Sequence, residues 1–336
     1  MRKRPIVVLS LFNGMSCGQL ALEKAGFIIK EYYSSEINKP SIKVTQKNYP
    51  DTIQIGDVTK VKYKRGFLYY EDVNSIMKKV FVGKIDLVIA GSPCQDFSRA
   101  NTKGEGIKGK KSGLFWEFER ILREVQPTYF LLENVKMSEH DKSIIDNTLG
   151  INGIMINSNL VSAQNRERYY WTNIPDISQP KNMGIFFKDI IFDDSYRIIE
   201  KESILKIIKE TSKITINGYY QYANKNGKNH KSQQNRLFPK DGKINTLTTT
   251  SGGIKIIIDH ETGKYRMLHP IEAERLQNVP VNYTLVDGVS KSDRFAMLGN
   301  GWTIDIISHI FNGMTFNKPS TNIKLKKIFK TESFWD

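Results

Sequence analysis

The chain has 336 residues, 39% of them hydrophobic, with 50 Lys and Arg against 35 Asp and Glu for a formal net charge of +15. That length suits one large domain with a smaller one, and no apolar run approaches the ~20 residues of a membrane span. The charge points to a polyanionic partner, while two cysteines cannot build a disulfide framework and five scattered histidines never reach metal-ligand spacing. Met1-Arg2-Lys3-Arg4-Pro5 runs straight into an apolar stretch without a signal-peptide segment, so a cytoplasmic protein is expected.

Strand-like and helix-like patterns alternate through the first half. Ile6 to Phe12 reads as a strand, Cys17 to Lys24 as a helix stopped by Gly26, and Tyr32 to Ile37 as a second strand. Pro40 to Asn48 gives a helix, Ile53 to Ile55 a short strand ahead of Gly56-Asp57, and Glu71 to Val80 a further helix. Ile85 to Ala90 and Thr128 to Glu133 are buried strands separated by the helix Leu114 to Val125. Asp141 to Leu149 looks helical, and Ile154 to Ala163 and Tyr169 to Thr172 look like edge strands. This is the rhythm of an α/β fold with a doubly wound, mostly parallel, Rossmann-like sheet. From Asn173 to about Lys264 the periodicity fades and Pro175, Pro180, Gly218, Gly227, Gly242 and Gly252-Gly253 punctuate the chain, as in a small irregular domain. Order returns with helices at His269 to Gln277, Ser292 to Leu298 and Trp302 to Phe311, the last expected to pack back on the first sheet, before a basic tail from Lys324 to Lys330.

Gly91-Ser92-Pro93-Cys94-Gln95 directly follows the apolar strand, so the thiol projects from the carboxyl edge of a sheet, where open α/β folds keep their ligands. A free cysteine is as readily a small core hydrophobe. Its neighbour is Glu133-Asn134-Val135, at the end of the next strand. A carboxylate disfavours a nearby thiolate, so Glu133 serves the substrate instead, which suggests an electron-poor ring whose nitrogen is held or protonated while sulfur attacks carbon. The loop from Leu11 to Gly18 lets a nucleotide-like cofactor approach the backbone and the helix terminus, although Gly-x-Gly-x-x-Gly is absent. Glu36 ends the second strand, where an acid can bind ribose hydroxyls, and Asp57 follows the third, where one can accept from an adenine amino group. In an extended segment Gln164, Arg166 and Arg168 share one face, and two guanidiniums there can fix a carbonyl oxygen and a phosphate. The basic stretch Asn224 to Lys243, with Tyr219, Tyr220 and Tyr222 before it, suits phosphate and base contact or a solvated loop.

In their order and spacing these motifs resemble the cytosine-C5 DNA methyltransferase family, and the resemblance spans nearly the whole chain. Phe12-Asn13-Gly14 looks like the family's cofactor loop, with Asn13 where an acid or alanine is common, and Pro93-Cys94-Gln95 like its nucleophile motif. Glu133-Asn134-Val135 looks like its glutamate motif and Gln164-x-Arg166-x-Arg168 like its paired-arginine motif. Glu274-Arg275-Leu276-Gln277-Asn278-Val279-Pro280 and Gly299-Asn300-Gly301-Trp302 resemble the late motifs that complete the cofactor pocket. The match looks best to the short branch of phage, bacterial and animal de novo enzymes.

The resemblance implies methyl transfer from S-adenosyl-L-methionine to C5 of a cytosine flipped out of double-stranded DNA, through a Cys94–C6 adduct, leaving S-adenosyl-L-homocysteine. It carries catalysis to Cys94, Glu133, Arg166 and Arg168, and cofactor binding to Phe12, Asn13, Gly14, Gly18, Glu36, Ile37, Asp57, Pro93, Asn300, Trp302 and Thr303. DNA contacts are expected from Ser98, Arg99, Asn134, Gln164 and Arg236, with no metal, and the loop Ser98 to Ser112 is expected to close over the flipped base. Residues 1–173 would form the catalytic and cofactor domain, 174–264 a target-recognition region, 265–320 the return to the large domain and 321–336 the tail. A monomer is expected, and whether a cognate restriction endonuclease accompanies it is open. The alternatives are an RNA cytosine-C5 methyltransferase acting on transfer RNA and a catalytically silent relative that only binds DNA.

Overall fold

The computed structural model describes residues 4–72, 74–92, 113–199, 220–221, 236–250, 254–259 and 264–316. In chain order the first half runs β1 (Ile6–Leu11), α1 (Cys17–Lys24), β2 (Ile29–Ser35), α2 (Lys39–Asn48), β3 (Ile53–Gln54), β4 (Lys62–Lys64), β5 (Phe67–Glu71), β6 (Met77–Phe81), β7 (Leu87–Gly91), α3 (Leu114–Val125), β8 (Tyr129–Val135), α4 (Glu139–Leu149), β9 (Ile154–Asn157), β10 (Gln164–Asn165) and β11 (Glu167–Thr172). Every residue of β1 is buried, as in a strand covered on both faces. The seven-stranded sheet has the order β3-β2-β1-β7-β8-β11-β9. Its pairs from β3 to β8 are parallel, and β11 runs antiparallel to β8. The strand order reverses between β1 and β7, and the crevice beyond their carboxyl ends is where a doubly wound sheet binds its ligand.

Contacts divide the chain into two compact units, Met1–Ile156 with Glu167–Gln179 and Ser308–Asp336, and Asn157–Arg166 with Pro180–Ile307. In the first, α3 turns Phe115, Phe118, Ile121, Leu122 and Val125 inward at helical spacing, and the Phe118 ring lies 6.2 Å from Phe130 on β8. Both ends of the described chain meet there: Phe316 packs edge-on against Phe27 and Tyr129, under the guanidinium of Arg4. In the second unit, short strands at residues 198–199, 220–221, 236–238, 255–259 and 264–267 make a five-stranded sheet, and β10 pairs with residues 244–245. The helices Pro270–Leu276 and Lys291–Asn300 belong to this unit by their contacts.

Two expected elements are replaced. Glu71 to Val80 is not a helix but the turn between β5 and β6 followed by most of β6. Asp72 Oδ1 accepts from the amides of Asn74 and Ile76, and Ser75 takes φ 60, so side-chain turn chemistry closes a hairpin. Ile154 to Ala163 is a strand only as far as Asn157, whose Oδ1 caps a 3₁₀ turn at Ser158–Leu160.

Candidate active site

The crevice at the strand reversal is built from the ends of β1, β2, β3, β7 and β8. After β1 the backbone takes positive φ at Phe12, Gly14 and Ser16, which coils the loop before α1. Glu36 Oε2 accepts from the Gly14 amide at 2.7 Å, and its Oε1 from the amides of Ile37 and Asn38 at 2.8 Å each. Three amides thus fix this carboxylate, with lone-pair capacity left on Oε2. Ile37 beside it is 72% exposed, an apolar side chain left open at a strand end. Asp57 Oδ1 accepts from the Thr59 amide and hydroxyl, and Ser35 Oγ donates to Gly56 O, tying the ends of β2 and β3 together.

Asn13 and Gly18 shape this loop from beneath. Asn13 is buried, and its Oδ1 accepts from Ser10 Oγ at 2.8 Å and from the Tyr32 hydroxyl at 3.0 Å. Burial pushes the Tyr32 phenol far up from its ordinary value, keeping it a neutral donor to Asn13. At Gly18 a Cβ would lie 2.3 Å from Ile89 Cδ1 and 2.8 Å from the Tyr32 hydroxyl, so its missing side chain is what lets α1 seat on the sheet.

On the other side of the crevice, Gly91 and Glu133 are register partners at the ends of β7 and β8. Arg168 Nε lies 3.0 Å from Glu133 Oε1, both side chains nearly buried. Asn134, expected to face DNA, is 1% exposed; its Nδ2 donates to Ser92 Oγ at 3.0 Å, and its Oδ1 accepts from the Val135 amide. Its amide is used inside the protein, where it holds the exit of β7. Pro93, Cys94, Ser98 and Arg99, with the whole expected lid, lie outside the described residues.

The Gln-x-Arg-x-Arg motif does not present one continuous face. Its strand breaks at Arg166, and the division between units falls there, with Gln164 and Arg166 in the second unit and Arg168 in the first. Arg166, expected in catalysis, is 2% exposed and donates to the carbonyls of Leu247, Gly299 and Gly301 at 3.2, 3.1 and 2.7 Å. Gln164, expected on DNA, is fully buried: Nε2 donates to Leu276 O and Gln277 Oε1, and Oε1 accepts from the Leu247 amide.

Gln277, expected only as one member of the late motif from Glu274 to Pro280, gathers this cluster. Its Oε1 also accepts from Thr303 Oγ1 at 2.8 Å, and its Nε2 donates to Leu298 O. Trp302 and Thr303 are buried, whereas Asn300, ending its helix, is exposed. Arg236 begins a strand and is partly buried, and most of the basic stretch before it lies outside the described residues. Lys243, at the end of that stretch, turns inward and donates to the carbonyls of Asn159, Ser162 and Ile185, so its charge is engaged within the protein. Among the described residues no His, Cys, Asp and Glu group has metal-holding geometry, and no helix is long and apolar enough to cross a membrane.

A mostly parallel sheet in the order β3-β2-β1-β7-β8-β11-β9, with β11 antiparallel to β8, is consistent with the class I methyltransferase fold. Residues 6–315 match the family of C-5 cytosine-specific DNA methylases, and the chain belongs to that family. It is a DNA cytosine-C5 methyltransferase.

The chain is 29% identical over 335 residues to the type II methyltransferase M1.ScrFI of Lactococcus lactis subsp. cremoris, covering 91% of this chain and 77% of that protein. It is 27% identical to the type II methyltransferase M.HhaI of Haemophilus parahaemolyticus, covering 90% and 92%. Among solved structures, the Entamoeba histolytica methyltransferase EhMeth aligns with a TM-score of 0.64 at 17% identity, covering 93% of this chain and 98% of that one. A DNMT2 variant from Spodoptera frugiperda aligns at 0.60 and 18%, covering 92% and 99%. At those identities the structural likeness speaks for the fold.

Proposed function

We propose that this protein moves the methyl group of S-adenosylmethionine to C5 of a cytosine turned out of duplex DNA, through a temporary bond from the Cys94 sulfur to C6. The observation that carries this reading is the Glu133–Arg168 pair, because it ends β8 beside β7, and β7 leads within three residues of Gly91 to Cys94. Rotation out of the stack is required to expose C6. Glu133 would hold the exocyclic amino group and deliver a proton at N3, with Arg168 pinning the carboxyl and holding O2. As the thiolate adds to C6, the C5–C6 π pair shifts toward C4, the C4–N3 π pair takes the proton at N3, and C5 becomes an enamine carbon. Once C5 carries the methyl, N3 returns its proton to Glu133, a base such as a water molecule takes the C5 proton, and the freed C–H electron pair restores the C5–C6 double bond as Cys94 leaves as thiolate.

The residues at the ends of β1 to β3 fit an adenosyl group. Glu36 is fixed by three amides with lone-pair capacity on Oε2 for a ribose hydroxyl, Ile37 leaves an apolar surface open to a ring, and Asp57 Oδ1 is held by Thr59. When bound, the cofactor supplies an electrophilic methyl on sulfur. Asn13 and Gly18, given the contacts above, support the loop rather than touch the cofactor, and we assign Arg166, Gln164 and Asn134 to positioning.

Bisulfite sequencing of duplex DNA treated with the wild type and with Cys94→Ala tests this, beside a parallel assay on transfer RNA. Methylated cytosine is expected only with wild type and only on DNA, and a duplex carrying 5-fluorocytosine at the target should trap a covalent adduct that Cys94→Ala does not form. C5 methylation by Cys94→Ala would overturn the covalent route, and transfer to RNA in preference to DNA would overturn the substrate.

A further inference from the structure

The hairpin that replaces the expected helix has an outward face that methyl transfer does not use. β4, β5 and β6 form a three-stranded antiparallel meander. Leu68 and Tyr70 turn one face into the core of the first unit, and Arg120 on α3 donates to Val61 O, holding the sheet in place. By alternation the other face carries Lys62 and Lys64 from β4, Phe67 and Tyr69 from β5, and Lys79 and Phe81 from β6. Phe81 is 68% exposed and meets Phe67 edge-on at 5.2 Å. Lys79 Nζ sits 4.6 Å from the Phe67 ring centre and 5.6 Å from that of Tyr69. Gly66, at φ +82, makes room for this arrangement, since a Cβ there would lie 2.8 Å from Phe81 Cε2. Glu71, the acid on this face, is paired with Lys60, so the lysines around the rings face outward without it.

Phe81 also lines a cleft of about 550 Å³ with Arg4, Lys30, Glu31, Lys84 and Asp86. Arg4 precedes β1, Lys30 lies near the start of β2 and Asp86 just precedes β7, so the cleft is at the amino ends of strands whose carboxyl ends hold the candidate active site. Five strand residues at about 3.3 Å each keep the two apart.

We propose that this face and cleft bind single-stranded nucleic acid, with an unpaired base stacked on Phe81, Lys62, Lys64 and Lys79 against its phosphates, and Lys84 at the adjoining nucleotide, Arg4 and Lys30 being held by Asp86 and Glu31. An exposed aromatic ring, Phe81, set among lysines on a sheet is the combination that holds unpaired bases without reading their sequence. A duplex keeps its base faces stacked away, and the lysines along the β6 edge oppose addition of a partner strand.

The test uses the full chain and a fluorescent oligothymidylate of about ten nucleotides, followed by anisotropy at low salt with saturating unlabelled duplex that the enzyme methylates. The oligonucleotide should still bind. Phe81→Ala should weaken it about tenfold or more while Phe81→Tyr holds, and methyl transfer to the duplex should be unchanged in both. Replacing Lys62, Lys64 and Lys79 by Gln should flatten the dependence of log K on log salt by about 0.7 per lysine. Displacement of the oligonucleotide by the duplex, or wild-type binding by Phe81→Ala, would overturn the proposal. So would sedimentation showing self-association that Phe81→Ala abolishes, since the face would then join two copies. Binding is read on the oligonucleotide, so this outcome is independent of whether Cys94 acts as proposed.

Discussion

Arg166 and Arg168 are the same residue type two positions apart, and their surroundings give them different work. Arg166 satisfies the carbonyls of Leu247, Gly299 and Gly301, where Gly299 approaches the Thr248 backbone so closely that a Cβ would lie 2.3 Å from its carbonyl carbon. Arg168 faces Glu133. Arg166→Met should therefore destabilise the fold by roughly 3 kcal/mol or more, because each buried carbonyl left unpaired costs about 1–3 kcal/mol before relaxation. Arg168→Lys should leave the denaturation midpoint close to wild type yet lower methyl transfer by about 100-fold, since a point charge does not reproduce the planar donors. Urea titration and single-turnover kinetics on the two variants measure this, and the reverse pattern would sink the assignment. From sequence, Glu133 can be placed at the end of the apolar run from Thr128, and Arg168 just before the run from Tyr169 to Thr172, and the structure brings the two side chains together. The division of labour was not legible, because the partners of Arg166 come from positions 247, 299 and 301, which no local pattern links to 166.

Elements obey the same logic of local chemistry. The strands and helices from β1 to α2 and from β7 to α4 read well from sequence because long buried runs and amphipathic spacing dominate them. The meander did not, because Asp72 closes a turn inside a segment whose composition tolerates a helix. The strands around residues 198–267 are mostly two or three residues long, too short for any periodicity. The helix Pro270–Leu276 offers a test of one such local device. His269 Nδ1 accepts from the Ile271 amide at 3.1 Å as its cap, and Glu272 Oε2 accepts from the His269 amide. Burial, chiefly, holds the His269 imidazole below its ordinary 6.5, so the unfolded chain takes up the proton first as pH falls. A protonated Nδ1 cannot accept, so the stability this cap contributes is present above the ordinary value and lost as pH drops through the folded one. About 1 kcal/mol should disappear between about pH 8 and pH 5. His269→Asn keeps a capping acceptor and should flatten that part of the curve. Equal slopes for wild type and variant in urea titrations across this range would remove His269 from the account.

At the scale of the molecule the excess of cations is the property that folding does not consume. With 50 Lys and Arg against 35 Asp and Glu, 15 cations would lack an acid even if every carboxylate were paired. Some of the positive charge is used internally, as Arg166 and Lys243 show by donating to backbone carbonyls. A basic surface that is merely solvating would be spread over the molecule, and few of its charges would meet a given duplex. A surface shaped for a polyanion would release one condensed counterion for nearly every phosphate it neutralises. The two cases differ in slope rather than in affinity. If about six phosphates are contacted, log K for duplex binding should fall with log salt at a slope near −5, a loss of about a thousandfold between roughly 50 and 200 mM. Anisotropy titrations on a methylatable duplex over that range measure it directly. A slope shallower than about −2 would mean that the net charge reflects composition alone and that base contacts in the flipped-cytosine site supply most of the binding.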